Sequence, residues 1–226
     1  MSNIIFICEG ISEKIFVENI LQSYWDKKNL KIATDVILLG ATNQKCNGTG
    51  GDVSFERLKN DLESTLQNDS ISYITTIFDF YQLHGTWPGK TEYLPTMTSR
   101  QKVEIMEKRT KEELSIQLSF PAITERFFPY FMLHEYEGLF FTEPRAITAV
   151  TKARHATMEL EKILNDFSGH PEDINTTKAP SARISAAKAN YGKTSHAHRI
   201  VSKIGIDPIR EKCPHFNDWL QILERL

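Results

Sequence analysis

Acidic side chains recur in this chain at points where an apolar, strand-like run ends. Glu9 follows the first such run and Asp79 follows a later one, and we expect the same of the motif that carries Glu135 and Glu137. Carboxylates at the ends of neighbouring strands can converge in space, and converging carboxylates bind hard divalent cations such as Mg²⁺. A site of that kind performs phosphoryl chemistry, so the pattern indicates a metal-dependent nuclease.

The segment around Glu9 predicts a strand, a tight turn and a helix in succession. Residues 4–7 form a continuous apolar run, which is typical of a strand buried on both faces of a parallel sheet. Gly10 permits a sharp turn, so the Glu9 carboxylate can stand clear at the carboxyl edge of the sheet. Ser12 is predicted to cap the helix that follows, and Glu13 either joins the site or stabilises the helix N-terminus.

Asp79 ends another apolar run, residues 71–78. An ionised carboxylate after such a run is costly to bury unless it is paired or bound to a metal. The alternative is a turn cap at the end of the strand, a common role for aspartate. Because Glu9 occupies an equivalent place on another strand, we predict that the two carboxylates share one metal.

Glu135 and Glu137 are candidate ligands that complete this metal site. On a strand the two side chains would share a face, whereas at the start of a helix they would diverge. Glu135 lies just past a predicted strand at 126–133, so we favour Glu135, with Glu137 as its alternate. His134 is either a further ligand or a structural histidine.

The C-terminal part of the chain has more basic than acidic residues. That asymmetry suits a surface that faces phosphates, and a solvated helical face would explain the charge equally well. Lys193 is a candidate catalytic residue, because a lysine can offset the charge that develops on a pentavalent phosphorus; the alternative is an ordinary surface lysine. The predicted substrate-binding residues are Lys178, Arg183, Lys193 and His196.

The composition is that of an ordinary globular protein of 226 residues with a net charge of −2, which argues against a generic nucleic-acid coat. The three cysteines have no zinc or disulfide spacing, which favours a reducing compartment. The chain lacks a signal-peptide layout and has no apolar run near the roughly 20 residues that span a bilayer. We therefore expect a cytoplasmic protein without a membrane partner.

The order of the predicted elements indicates the fold. Four apolar runs, at 3–8, 32–39, 71–78 and 126–133, alternate with helical patterns, which predicts an α/β fold with a mostly parallel sheet flanked by helices. After about residue 144 only helical patterns remain. We predict a catalytic core over residues 1–144 and a helical C-terminal subdomain over 145–226 that packs on it.

A glycine-rich polar loop separates the second predicted strand from the next helix. It spans Gly40 to Gly51 and lacks the Gly-Lys-Ser/Thr ending of a P-loop. A flexible connection is the favoured interpretation, and a phosphate cradle is the alternative.

The ordered set of motifs resembles that of a bacterial family described as domain of unknown function 4276, whose core is Toprim-like. The family pattern is Glu-Gly-x-Ser/Thr-Glu, Phe-Asp-Tyr-Tyr-Gly, His-Glu-Phe-Glu-Ala, Ala-Pro-Ser with a basic residue, and Cys-Pro-x-Phe-Asn. The collinear match covers nearly the whole chain. The corresponding motifs here are Glu9-Gly10-Ile11-Ser12-Glu13, Phe78-Asp79-Phe80-Tyr81, His134-Glu135-Tyr136-Glu137-Gly138, Ala179-Pro180-Ser181-Ala182-Arg183 and Cys213-Pro214-His215-Phe216-Asn217.

The resemblance implies a Toprim core, which topoisomerases, primases and overcoming-lysogenization-defect nucleases share. In that core a glutamate after the first strand and aspartates after a later strand bind Mg²⁺ or Mn²⁺. Glu9 and Asp79 match those places. Tyr81 replaces the usual second aspartate, so Glu135 or Glu137 could substitute as the further ligand.

Members of this family also resemble the effector nuclease of PARIS-type anti-phage systems, which is restrained by an ABC-like ATPase. The resemblance therefore implies a toxic nuclease with an ATPase partner and a nucleic-acid substrate, RNA such as tRNA in preference to DNA. A homodimer is a further option. The alternative is a non-catalytic Toprim-like regulatory or binding module, favoured by the near-zero charge and the missing second aspartate.

Overall fold

The computed structural model describes residues 2–39, 53–66, 73–83, 85–118, 122–174, 178–187 and 189–226. The predicted loop from Gly40 to Gly51 lies outside the described residues. The chain forms two compact units, Met1–Met132 and Leu133–Leu226. We predicted a catalytic core over residues 1–144 and a helical subdomain over 145–226. That functional division stays a prediction.

The first unit contains a parallel sheet, which confirms the predicted α/β fold. The strands run in the order β2-β1-β3-β4, and β5 also pairs with β3. All residues from Ile4 to Cys8 in the central strand β1 are buried, because helical layers cover both faces of the sheet. The strands are β1 (Ser2–Cys8), β2 (Ile32–Leu38), β3 (Tyr73–Asp79), β4 (Phe127–Phe128) and β5 (Phe131–Met132).

The predicted single strand at 126–133 is wrong, because the chain forms two short strands there. Pro129 has no backbone N–H to donate to a ladder, and the pairing with β3 is interrupted between β4 and β5. Thr76 bridges the break: its hydroxyl accepts a hydrogen bond from the Tyr130 N–H at 2.9 Å and donates to the Tyr130 carbonyl at 3.1 Å.

One helical segment follows β1 directly. It consists of α1 (Ile11–Ile15), a π-helical stretch (Phe16–Leu21) and α2 (Gln22–Lys27). The prediction that Ser12 caps this helix is wrong, because the N-cap residue is Gly10 in an extended conformation. The buried ring of Trp25 packs on Phe6, at 6.2 Å between centroids, so this segment covers one face of the sheet.

The opposite face is covered by the remaining helices of the first unit. They are α3 (Phe55–Leu66), α4 (Ser99–Gln117) and α5 (Ile123–Arg126). Side chains alternate along a strand, and the register of β1 with β3 therefore places Phe78 on the face opposite Phe6. The Trp87 ring packs edge-on against Phe78 and Phe55, and its indole N–H donates to the Thr110 hydroxyl of α4 at 2.8 Å.

The second unit is helical, in agreement with the loss of strand patterns in the C-terminal sequence. Its described residues contain no strand. It begins with a 3₁₀ segment, Tyr136–Thr142, that is buried throughout. The helices are α6 (Pro144–Val150), α7 (Thr157–Asp166), α8 (Pro180–Ala186), α9 (Lys193–Ile204), α10 (Ile206–Lys212) and α11 (Pro214–Leu223). No helix in the described parts of the chain has the length and apolarity needed to cross a membrane.

The side chain of Gln22 covers the start of the edge strand β2. Its amide group donates to the Ile32 carbonyl at 3.0 Å and accepts from the Thr34 N–H at 3.0 Å and the Thr34 hydroxyl at 2.9 Å. The next outward N–H, that of Val36, donates to the Asp35 carboxylate at 2.8 Å. The exposed backbone of an edge strand is a template for pairing with another chain. The side chains of Gln22 and Asp35 bond to these backbone groups and so block such pairing.

Replacing Gln22 with alanine should destabilise the first unit and open this edge. Loss of the hydrogen bonds to Ile32 and Thr34 should lower the free energy of unfolding by about 1–2 kcal/mol in urea titrations. Light scattering should show increased self-association. Ser23→Ala is the matched control, because the Ser23 hydroxyl donates to the Asn19 carbonyl of the same helical segment at 2.8 Å. Equal stability of the two variants would contradict the edge role of Gln22.

Candidate functional site

Glu9 and Asp79 meet at the carboxyl edge of the sheet. Strands β1 and β3 are parallel neighbours, with Cys8 opposite Ile77, and the Glu9 N–H donates to the Ile77 carbonyl at 3.3 Å. The Glu9 carboxylate in turn accepts a long hydrogen bond, 3.5 Å, from the backbone N–H of Asp79. Glu9 is half-buried, and only 8% of Asp79 is exposed. The structure thus places the Glu9 carboxylate beside the backbone of Asp79 at one edge of the sheet, and a metal shared by the two side chains stays a prediction.

The alternative role of Asp79, a cap for the turn that follows, has no support in the geometry. A 3₁₀ turn, Phe80–Gln82, begins directly after Asp79, yet within the described residues 73–83 the Asp79 side chain makes no capping hydrogen bond to it. A carboxylate at the end of a parallel strand is of the type that holds hard divalent cations, so Asp79 stays a candidate ligand.

The turn between β1 and α1 also places Glu13 close to this edge. A Cβ atom added to Gly10 would lie 3.0 Å from the Glu13 carboxylate oxygen Oε2, which is closer than ordinary packing allows. Gly10 therefore lets the Glu13 carboxylate fold back over the turn that follows Glu9. Both predicted roles of Glu13, in the site and at the helix N-terminus, are compatible with this position.

The donor set at this edge suits magnesium or manganese held by few protein ligands. Among the described residues, no group of three or more His, Cys, Asp or Glu side chains is arranged to hold a metal ion. Magnesium usually keeps several waters and is held by one or two carboxylates together with substrate phosphates. Glu9 and Asp79 are the residues that would hold it, and the participation of Glu135 or Glu137 stays a prediction.

Glu135 caps a helix within the second unit. Its carboxylate accepts a hydrogen bond of 2.9 Å from the backbone N–H of Ser181, in the first turn of α8. The first N–H groups of a helix lack partners within the helix, and an acidic group there is favoured by the helix dipole. This contact joins the His-Glu-Tyr-Glu motif to the Ala-Pro-Ser motif.

Glu137 points into the interior of the second unit, and only 2% of it is exposed. The Tyr191 hydroxyl donates to the carboxylate oxygen Oε1 at 3.0 Å, and the Lys193 ammonium lies 3.4 Å from the same oxygen. Burial raises the pKa of Glu137, and the nearby Lys193 charge opposes that rise. The charge of Lys193 is therefore directed towards a buried carboxylate, although half of its side chain is exposed.

The two histidines of the candidate set have different surroundings within the second unit. Burial lowers the pKa of His134 from its ordinary value to about 4, so the imidazole is neutral at physiological pH. The Nδ1 atom of His196 accepts a hydrogen bond from the Gly192 N–H at 3.0 Å, at the start of α9. His196 thus contributes to the N-terminal turn of this helix, close to Lys193.

The other two predicted substrate-binding residues lie together on α8 and just before it. The Arg183 guanidinium donates to the Lys178 carbonyl at 2.9 Å and lies over the Phe167 ring, 5.1 Å from its centroid. Lys178 is exposed. These contacts fix the orientation of Arg183 and leave the tip of Lys178 in solvent.

Two residues with clear roles had no signal in the sequence. Tyr191 donates to Glu137, and the Glu172 carboxylate accepts hydrogen bonds from the N–H groups of His215 and Phe216 at 3.0 and 2.9 Å. Glu172 thereby caps α11, where the Cys-Pro-His-Phe-Asn motif begins. It lies more than 40 residues from its partners in sequence, and no local spacing could have indicated the contact.

The fold and the edge carboxylates define a parallel α/β protein with a helical second unit. Residues 8–224 match the family described as Domain of unknown function (DUF4276), and the chain belongs to that family. This confirms the family resemblance read from the ordered motifs. No curated protein and no solved structure matches the chain.

Replacing Glu135 with alanine should destabilise the second unit, because α8 loses the carboxylate that caps its first turn. We expect Glu135→Ala to lower the free energy of unfolding by about 1 kcal/mol in urea titrations. Glu135→Gln, which keeps an oxygen acceptor for the Ser181 N–H, should stay near the wild-type stability. If both variants were as stable as the wild type, the capping contact would contribute nothing.

The buried imidazole of His134 should make the protein less stable in acid. Its folded pKa of about 4 lies below the ordinary value of 6.5, so its contribution is present above pH 6.5 and is lost as pH falls towards 4. The stability of the wild type relative to His134→Gln should fall by about 3 kcal/mol between pH 7 and pH 4. Urea titrations of both proteins at several pH values measure this, and a stability difference that stays constant between pH 7 and pH 4 would contradict the prediction.

Proposed function

We propose that this protein is a divalent-metal-dependent nuclease that hydrolyses phosphodiester bonds. The observation that carries the proposal is the meeting of Glu9 and Asp79 at the carboxyl edge of adjacent parallel strands, with 3.5 Å between the Glu9 carboxylate and the Asp79 nitrogen. Ligands of open α/β sheets bind at this edge. The resemblance to Toprim-like nucleases, which place a glutamate and an aspartate after the corresponding strands, supports the same chemistry.

In this proposal Glu9 and Asp79 hold Mg²⁺ or Mn²⁺ and orient the substrate phosphate. The bound ion would neutralise charge on the phosphate oxygens and lower the pKa of a coordinated water. Glu9 is the half-buried member of the pair and is placed to accept the proton of the attacking water. Asp79 is nearly buried, which keeps its carboxylate in a fixed position at the end of β3.

The second unit supports a role in contacting nucleic acid. Lys178 and Arg183 lie together near the start of α8, while Lys193 and His196 lie in the first turn of α9. Lys193 is held by the buried Glu137, so its ammonium has a defined position from which it could meet a phosphate. RNA such as tRNA is the proposed substrate, in preference to DNA, on the basis of the family resemblance.

The same resemblance supports a biological setting. We propose a cytoplasmic effector of anti-phage defence that is restrained by an ABC-like ATPase partner. Homodimerisation is compatible with this role. An adjacent ATPase gene would support the setting independently of any assay on the purified chain.

A non-catalytic binding module is the second candidate. The described residues hold no cluster of three or more metal-ligating side chains, and this favours it. Such a module would bind the ATPase or nucleic acid without turnover. Calorimetry with Mg²⁺ and Mn²⁺ separates the two candidates: absence of metal binding, together with absence of cleavage with and without the ATPase, would favour the module.

Cleavage of labelled RNA and DNA by the purified protein should require Mg²⁺ or Mn²⁺ and stop in EDTA. Glu9→Gln and Asp79→Asn should each lower the cleavage rate by on the order of 100-fold or more, because each removes one carboxylate from the ion. The assay should be run with the chain alone and with the ATPase, since a restrained effector is silent until released.

Glu18→Gln is the matched control for this assay. It makes the same chemical change on an exposed side chain of the π-helical stretch, where Glu18 pairs with Lys14 at 3.5 Å. Glu18→Gln should cut at the wild-type rate. Wild-type cleavage by both Glu9→Gln and Asp79→Asn would place the active site elsewhere.

A further inference from the structure

A large aromatic side chain lies in solvent immediately beyond the carboxylate pair. Tyr81 follows Asp79 by two residues, within the 3₁₀ turn Phe80–Gln82, and 55% of it is exposed. Aromatic rings are rich in apolar surface, and a tyrosine gains from covering that surface with another flat group. The position that would hold a second aspartate in an Asp-x-Asp pair thus presents a ring.

Two aromatic neighbours, one buried and one half-buried, pack in a row with the Tyr81 ring. The Phe80 ring is buried and meets Tyr81 edge-on, with 5.1 Å between centroids, and Tyr93 follows at 6.2 Å from Phe80. The ammonium of Lys102 lies 5.8 Å from the Tyr93 centroid. The exposed ring is therefore the outer member of a packed row of aromatic side chains that ends in a positive charge.

The segment that carries Tyr93 is anchored to α4, so this row has a defined position. Arg109 of α4 binds the Glu92 carboxylate with two hydrogen bonds, at 2.6 and 2.8 Å. The Lys90 ammonium also donates to the Leu83 carbonyl, just beyond the 3₁₀ turn. A surface that is held before binding loses less conformational entropy when a ligand arrives.

The turn after the neighbouring strand has a similar feature. Ile11 follows Glu9 by two residues, and 50% of it is exposed. Each of the two carboxylates at the sheet edge is thus followed, two positions later, by an exposed apolar side chain. A ligand that carries a phosphate at Glu9 and Asp79 would meet apolar surface directly beside it, which is the chemistry of a nucleotide with its base.

We propose that Tyr81 is a stacking platform for an unpaired nucleobase of the substrate. This inference rests on the proposed function, because the phosphate of the same nucleotide or of its neighbour would lie at Glu9 and Asp79. A base in a duplex has both faces covered by its neighbours, whereas a base in a loop, bulge or single strand has a face free for an aromatic side chain. The substrate class is therefore nucleic acid with unpaired bases at the cleavage site.

Binding measured without metal tests this inference separately from hydrolysis. Fluorescence anisotropy in EDTA would compare a labelled single strand, the same strand with abasic sites, and a blunt duplex. Tyr81→Ala should weaken binding to the single strand by roughly tenfold or more, the effect typical of a lost base–aromatic stack. Tyr81→Phe should keep the wild-type affinity, because the ring face is retained. The abasic strand and the duplex should bind Tyr81→Ala and wild type equally.

Tyr24→Ala is the matched control, since Tyr24 lies on α2, towards the opposite end of the helical segment that begins at the carboxyl edge. The Tyr24→Ala variant should bind the single strand with the affinity of the wild type. Equal affinity of Tyr81→Ala and wild type, or failure of the wild type to bind the single strand, would overturn the inference. Loss in Tyr81→Phe as large as in Tyr81→Ala would also overturn it. Tyr81-dependent binding without metal-dependent cleavage would instead count against hydrolysis and leave the platform intact.

Discussion

The parallel pairing of β1 with β3 is the constraint on which the candidate site depends. Both strands run in the same direction and are hydrogen-bonded in a fixed register, with Cys8 opposite Ile77, so the residues that follow each strand arrive at one edge. A slip of one residue would turn every side chain of β1 to the other face of the sheet, where the opposite helical layer packs. The hydrogen-bonded register of β1 with β3 therefore holds Glu9 beside Asp79.

Two of the acidic residues in the second unit have structural roles that differ from the position of Glu9 and Asp79. Glu135 and Glu172 satisfy backbone N–H groups at the starts of α8 and α11, and these contacts account for their charge without a ligand. Within the described residues 73–83, Asp79 makes no capping hydrogen bond to the turn that follows it, and the Glu9 carboxylate accepts a long hydrogen bond from the Asp79 N–H. These two carboxyl residues instead stand at the carboxyl edge of the sheet, where open α/β sheets bind their ligands.

The helical second unit depends on contacts between segments that are distant in sequence. Helix α8 has only seven residues, too few to be stable alone in water, and its first turn is completed by Glu135. Glu137 makes a further long-range contact, because its buried carboxylate gathers Tyr191 and Lys193 from the start of α9. The same contact that supports the packing also sets the position of the Lys193 ammonium, so structure and any phosphate contact share one interaction.

The sequence by itself determined the strands at the start of the chain, the parallel sheet, the helical C-terminal part and the arrival of Glu9 and Asp79 at one edge of the sheet. Those features follow from local patterns: apolar runs of strand length, helical spacing and the turn allowed by Gly10. Only the tertiary structure decided that Glu135 caps α8 while Glu137 turns inward, that β4 and β5 are separate, and that Gly10 is the N-cap of the first helix. The Glu135 contact spans 46 residues and the Glu172 contact 43. Hydrogen bonds over such separations depend on how helices and loops pack against one another in three dimensions. Local sequence periodicity carries no information about that packing.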